Sequence, residues 1–125
     1  MSKTAELRKL IQSVLSEICP RVYYEQSADT ELFPYIVYDL ASIDLDKIER
    51  DDLVMTVDVW DRSNDPKAVE NIADSIEQRL NTANLPTESV LPTFFRISRT
   101  SVQDTDKSLK RRQLKFQIQN YYIGE

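Results

Sequence analysis

The side chains with the chemistry to act on a substrate are carboxylates, and they gather in two places. In VDVWDRSNDP, Asp58 and Asp61 stand three positions apart with Arg62 beside them. Paired carboxylates do acid and base work only when both face one pocket. Strand side chains alternate faces, so this odd spacing sends Asp58 and Asp61 to opposite sides of a sheet. The pattern reads as a salt-bridged strand end leading into a helix. The second cluster is SIDLDKIERDD, Ser42 to Asp52. It alternates carboxylates as a calcium loop does, but lacks the central glycine and the spaced terminal glutamate of that motif. An acidic hairpin loop is expected there. Its apolar members Ile43, Leu45 and Ile48 are unusual in a purely solvated loop and suit one that orders against a neighbouring subunit.

What the chain lacks excludes more. It has no histidine, which removes histidine metal ligands, Ser-His and Cys-His pairs, and the usual base near neutral pH. The one cysteine, Cys19, can form no internal disulfide and no thiolate zinc cluster, and its place on an apolar helix face predicts a small buried hydrophobe. The single glycine is Gly124, so neither a phosphate loop nor a dinucleotide fingerprint is present. No metal and no cofactor is expected, and no catalytic residue is assigned. The start MSKTAELRK lacks the apolar core of a secretion signal, and no apolar run approaches membrane-spanning length. A reducing cytoplasm, or an assembly made there, is the expected setting.

Sixteen basic residues against twenty-one acidic ones leave a net charge of −5, which repels a phosphate backbone. The local exception is KSLKRR, Lys107 to Arg112, with Phe94 and Phe95 nearby as candidate base-stacking rings. Asp104 and Asp106 flank it, and a charged strand edge that discourages aggregation is the competing reading.

The elements that must position these groups follow from periodicity. Leu7, Leu10, Ile11, Val14, Leu15 and Ile18 recur at helical spacing and predict a helix from about Thr4, as cap, to Cys19, ended by Pro20. Asp65 as cap and Pro66 at the first helical position open a second helix, with Val69, Ile72, Ala73, Ile76 and Leu80 as its stripe. Strands are expected at Val22 to Gln26, Pro34 to Ala41, Leu53 to Asp61, Thr93 to Thr100 and Leu109 to Ile123. In the third, Leu53, Met55, Val57 and Val59 alternate with Val54, Thr56, Asp58 and Trp60. The order α-β-β-β-α-β-β in 125 residues predicts a single α+β domain: a mainly antiparallel five-stranded sheet with two helices on one face.

The other sheet face would carry Thr56, Asp58, Arg99, Lys115, Gln117 and Gln119, interrupted by Trp60, Tyr121 and Ile123. Such a face suits either plain solvent or a partner that covers its aromatics. Trp60 is expected to wedge between the sheet and a helix end or a neighbouring subunit. The residues expected to meet another subunit or a tube are Ile43, Leu45, Ile48, Trp60, Arg111, Arg112 and Tyr121.

RVYYEQSADTELFPYIVYDL, then MTVDVWDRSNDPKAVENIADSIEQRL, then KRRQLKFQIQNYY, taken in order, resemble the small tail terminator, or tail completion and tail-to-head joining, proteins of long-tailed bacteriophages and prophages. The resemblance spans nearly the whole chain and rests on order and spacing, since none of its pieces is a catalytic signature. It implies a non-enzymatic subunit that forms a ring, usually a hexamer, which caps the tail tube and joins it to the head connector. The partners implied are further copies of the chain, the major tail tube protein and head connector proteins, with no membrane. DNA would pass through the ring without specific binding, and an acidic lumen would suit that passage. The subunit would be assembled in the bacterial host cytoplasm and end in the virion tail. The alternative from the residues alone is a small non-catalytic α+β domain that binds a nucleic acid or ligand.

Overall fold

A computed structural model of the chain describes residues 5–25, 32–43 and 50–122. The order is α1 (Ala5–Ile18), β1 (Val22–Tyr24), β2 (Tyr35–Ile43), β3 (Arg50–Arg62), α2 (Lys67–Leu80), β4 (Val90–Val102) and β5 (Leu109–Tyr122). The five strands form one sheet in the order β1-β2-β3-β5-β4. Three of its four pairings are antiparallel, as the sequence predicts; β1 and β2 run parallel, so the sheet is mixed. The chain between Tyr24 and Tyr35 is long enough to return to the same end of the sheet, which a tight hairpin turn would not allow.

Both helices cover the face lined by the odd positions of β3 and the even positions of β5. Leu53, Met55, Val57 and Val59 are all buried, and so are Leu114, Phe116 and Ile118. Register places Leu53 beside Ile118, Met55 beside Phe116 and Val57 beside Leu114, which makes a continuous apolar floor. Leu7, Ile11, Val14 and Leu15 of α1 and Val69, Ala73, Ile76 and Leu80 of α2 close it from above. Each such Leu, Ile, Val or Phe stabilises the fold by about 1.5 to 3 kcal/mol through burial. Cys19 is buried in this core, as expected of a small hydrophobe.

Pro20 ends α1, and Arg21 ties the next turn to the start of β2. Its Nε donates to the Pro34 carbonyl at 3.0 Å and its second terminal nitrogen to the Phe33 carbonyl at 3.0 Å, across a Phe33-Pro34 peptide that is cis. The start of α2 differs from expectation by one residue. Pro66 occupies the cap position, its carbonyl accepting from Glu70 N at 3.0 Å, and the helix runs from Lys67. The Asp65 carboxylate still caps, accepting from Lys67 N at 3.0 Å. The proline ring fixes φ at −77°, near the helical value, so the first turn forms around Pro66 itself.

The register of β4 shifts between Arg96 and Ser98. An extra residue at such a bulge moves every later side chain to the other face. Arg99, expected on the outer face, consequently stands beside Leu114 on the helix side. There it meets Glu70 at 3.1 Å, Asp74 at 2.7 Å and Glu77 at 3.5 Å along α2. The outer edge of β4 is covered over its first half by the segment after α2: Thr82 N donates to Phe94 O at 2.7 Å and Leu85 N to Pro92 O at 3.1 Å.

Candidate functional site

The sheet face opposite the helices carries most of the described candidates, and strand parity builds it. Even positions of β3 and odd positions of β2 and β5 point outward, so Tyr35, Trp60 and Arg111 lie side by side, as do Val37, Asp58 and Gln113. The Tyr35 and Trp60 rings stack with centroids 6.3 Å apart, and the Arg111 guanidinium lies over Trp60 at 4.8 Å. Arg111 is held there by Asp58, whose Oδ1 accepts from Arg111 Nε at 2.9 Å and from Gln113 Nε2 at 3.1 Å. Burial pushes the Tyr35 phenol above its ordinary range, with the positive charge of Arg62 opposing. Trp60 therefore lies flat between a tyrosine and an arginine on the outer face and is not wedged against a helix end.

Asp61 and Asp58 point to opposite faces, as their spacing predicts, and share no pocket. At the far end of the face, Asp52 is almost fully buried, in an ion pair with Arg50 Nε at 2.7 Å, and accepts from Gln117 Nε2 at 3.4 Å. Arg50 also lies 5.9 Å from the centre of the Tyr121 ring. The exposed large apolar side chains of the sheet gather on the same side of the barrel-free sheet: Phe95 at 37%, Tyr121 at 40% and, at the bulge, Ile97 at 53%.

Two basic residues named together in the sequence part company. Arg111 is outward, whereas Arg112 turns to the helix side and pairs with Glu70. The run they belong to opens β5, which lies between β3 and β4, so it is not a strand edge. The paired phenylalanines also separate: Phe94 is fully buried in the core and only Phe95 is displayed, so no twin stacking platform exists. Among the described residues no three carboxylate or thiol groups converge on a metal position. Beside the basic run, between the start of α2, the end of β4 and the start of β5, lies an open hollow of about 370 Å³. At its outer margin Arg62 binds Asp106 at 2.8 Å and holds that carboxyl down to about 2, helped by hydrogen bonds from Ser108.

The backbone of Ile43 ends β2 opposite Asp52, while Leu45, Ile48 and Ile123 lie outside the described residues. Phe95, Ile97, Tyr35 and Asp52 are the members of this surface that the sequence reading missed. Counting strand parity outward from Trp60 and Tyr121 would have found Tyr35 and Asp52; Phe95 was obscured by its pairing with Phe94.

No part of this surface is arranged for bond making, and the comparison with known families agrees with that geometry. A family model described as Tail completion protein gp17 matches residues 1–119. The chain belongs to this family. Family membership makes it a structural component of a phage tail, with the virion as its place. The fold is similar to that of a chain from the virion of a native gene transfer agent particle, with a TM-score of 0.66 at 13% identity, covering 87% of this chain and 85% of that one. A second solved chain has the same TM-score at 9% identity, covering 94% of this chain and 98% of that one. No curated protein matches in sequence.

Proposed function

We propose that the chain completes a phage tail by closing the end of its tube as a ring of copies, six being the expected number, and that this ring carries the contact with the head connector. The observation behind this reading is family membership over residues 1–119, joined to a sheet whose helix-free face displays Phe95 and Tyr121. A ring needs two different patches on each subunit that meet head to tail around a closed circle. The outer face with Trp60, Arg111 and Tyr121, the last strand, and the segment holding Ile43, Leu45 and Ile48 supply candidates for those patches. The subunit acts by contact and turns nothing over. Its net charge of −5 suits DNA that must slide through without being gripped. A free cysteine in the core suits assembly in the reducing cytoplasm of the host.

The test is electron microscopy of the purified chain added to polymerising tail tubes of the same phage. Rings seated on tube ends, and tubes of limited length, are the expected result. Tubes that grow on with no density at their tips would overturn the proposal.

A further inference from the structure

The two ends of the sheet carry opposite charge, and this rests on, and sharpens, the ring reading. At the α2 end, Asn64 and Pro66 form one wall of the hollow and the turn from β4 to β5 forms another. Of its four cations, Arg111 is bound to Asp58 and Arg112 to Glu70. Lys107 and Lys110 have no carboxylate partner among the described residues; Lys110 Nζ donates only to the Lys107 carbonyl, at 2.5 Å. Asp104 is the one acid in the lining, and Val102 and Leu109 add apolar surface between the lysines.

At the other end, Ile43 and Arg50 are joined by Asp-Leu-Asp-Lys-Ile-Glu, residues 44–49, which carries three carboxylates against one amine and interleaves Leu45 and Ile48 with them. The charge and apolar spacing of that segment complement the lysines and apolar walls of the hollow. It cannot serve its own chain. Arg50 and Arg62 stand twelve residues apart along β3, a separation of about 40 Å at ~3.3 Å per residue. A six-residue connection that must leave and return reaches about 10 Å at most from the sheet end.

The geometry points to a head-to-tail docking site: the basic hollow beside the start of α2 in one copy receives the acidic segment 44–49 of a second copy. Each copy then offers one donor and one receptor at opposite ends, the arrangement that closes into a ring rather than a two-fold dimer. The same hollow is a poor match for DNA, because the remaining surface of a chain with net charge −5 opposes a phosphate backbone.

Zero-length carbodiimide coupling of the full chain, alone and on tail tubes, tests this, because it joins an amine to a carboxylate only in direct contact. Mass spectrometry should find Lys107 or Lys110 joined to Asp44, Asp46 or Glu49, with the products running as dimers and larger species. Lys107→Gln with Lys110→Gln should lower that yield about tenfold, and about 0.5 M salt should do likewise. Lys107→Glu with Lys110→Glu should block assembly, and adding Asp44→Lys with Asp46→Lys in the same chain should restore it. If rings form on tubes but the glutamine variant assembles unchanged, the docking site is wrong and the ring reading stands. If no rings form at all, both fall. If the glutamine variant instead loses affinity for duplex DNA while its oligomers persist, the hollow serves phosphates and the docking site is overturned.

Discussion

At the scale of single residues, Trp60 is held by two neighbours of different kinds. Tyr35 gives it a stacked face and Arg111 a cation, and Arg111 is aimed by Asp58 and so cannot drift. The pair Arg111 and Asp58 is partly shielded from water, so its loss matters more than that of an exposed ion pair. Arg111→Ala is expected to cost about 1 kcal/mol in urea unfolding. As Trp60 is the only tryptophan, its fluorescence should shift to longer wavelength in the folded variant. An unchanged spectrum would mean that the arginine does not shape the tryptophan environment. The sequence showed that Asp58 and Trp60 share a face, because alternation in VDVW is local. It could not show that Tyr35 and Arg111 flank them, because that depends on the register of three strands distant in the chain.

At the scale of elements, α1 is fastened to β2 by Tyr38, whose hydroxyl donates to Gln12 Oε1 at 3.0 Å beneath the helix. Burial, more than any neighbouring charge, pushes its phenol up to about 12, with Arg8 opposing. The folded state thus favours the protonated phenol more than the unfolded chain does. The resulting stability is fully present below pH 10 and is lost as pH rises from about 10 towards about 12, on the order of 2 kcal/mol in all. Urea unfolding at about pH 9 and about pH 11.5 should show that loss in the parent and a smaller one in Tyr38→Phe. Elements were the most legible scale: both helices and all five strands fall where periodicity puts them, because each buries one face. The missed detail was the bulge at Arg96 to Ser98. Neither glycine nor proline marks it, so nothing in RISRT announced that Arg99 would turn from the outer face to the acids of α2. The parallel β1 was likewise hidden, since strand direction depends on where a long connection returns.

At the scale of the whole molecule, one sheet face is closed by helices and the other is left with exposed aromatics. Phe95→Glu with Tyr121→Glu should leave thermal stability within about 1 kcal/mol of the parent, because both side chains are already exposed. The same variant is expected to abolish binding to tube ends in sedimentation. Retained binding would show that assembly uses other surfaces. The order of strands has a separate bearing on how the subunit is made. The strand at the centre, β5, comes after both of its neighbours in the chain, and β3 and β4 cannot be bridged without it. While a ribosome is still short of residue 109, the emerging polypeptide holds two long strands with no mate between them, each open to chance pairing with another nascent chain. Maturation therefore ends in one late step, insertion of β5, and a subunit arrested before that step has no continuous floor on which to seat its helices.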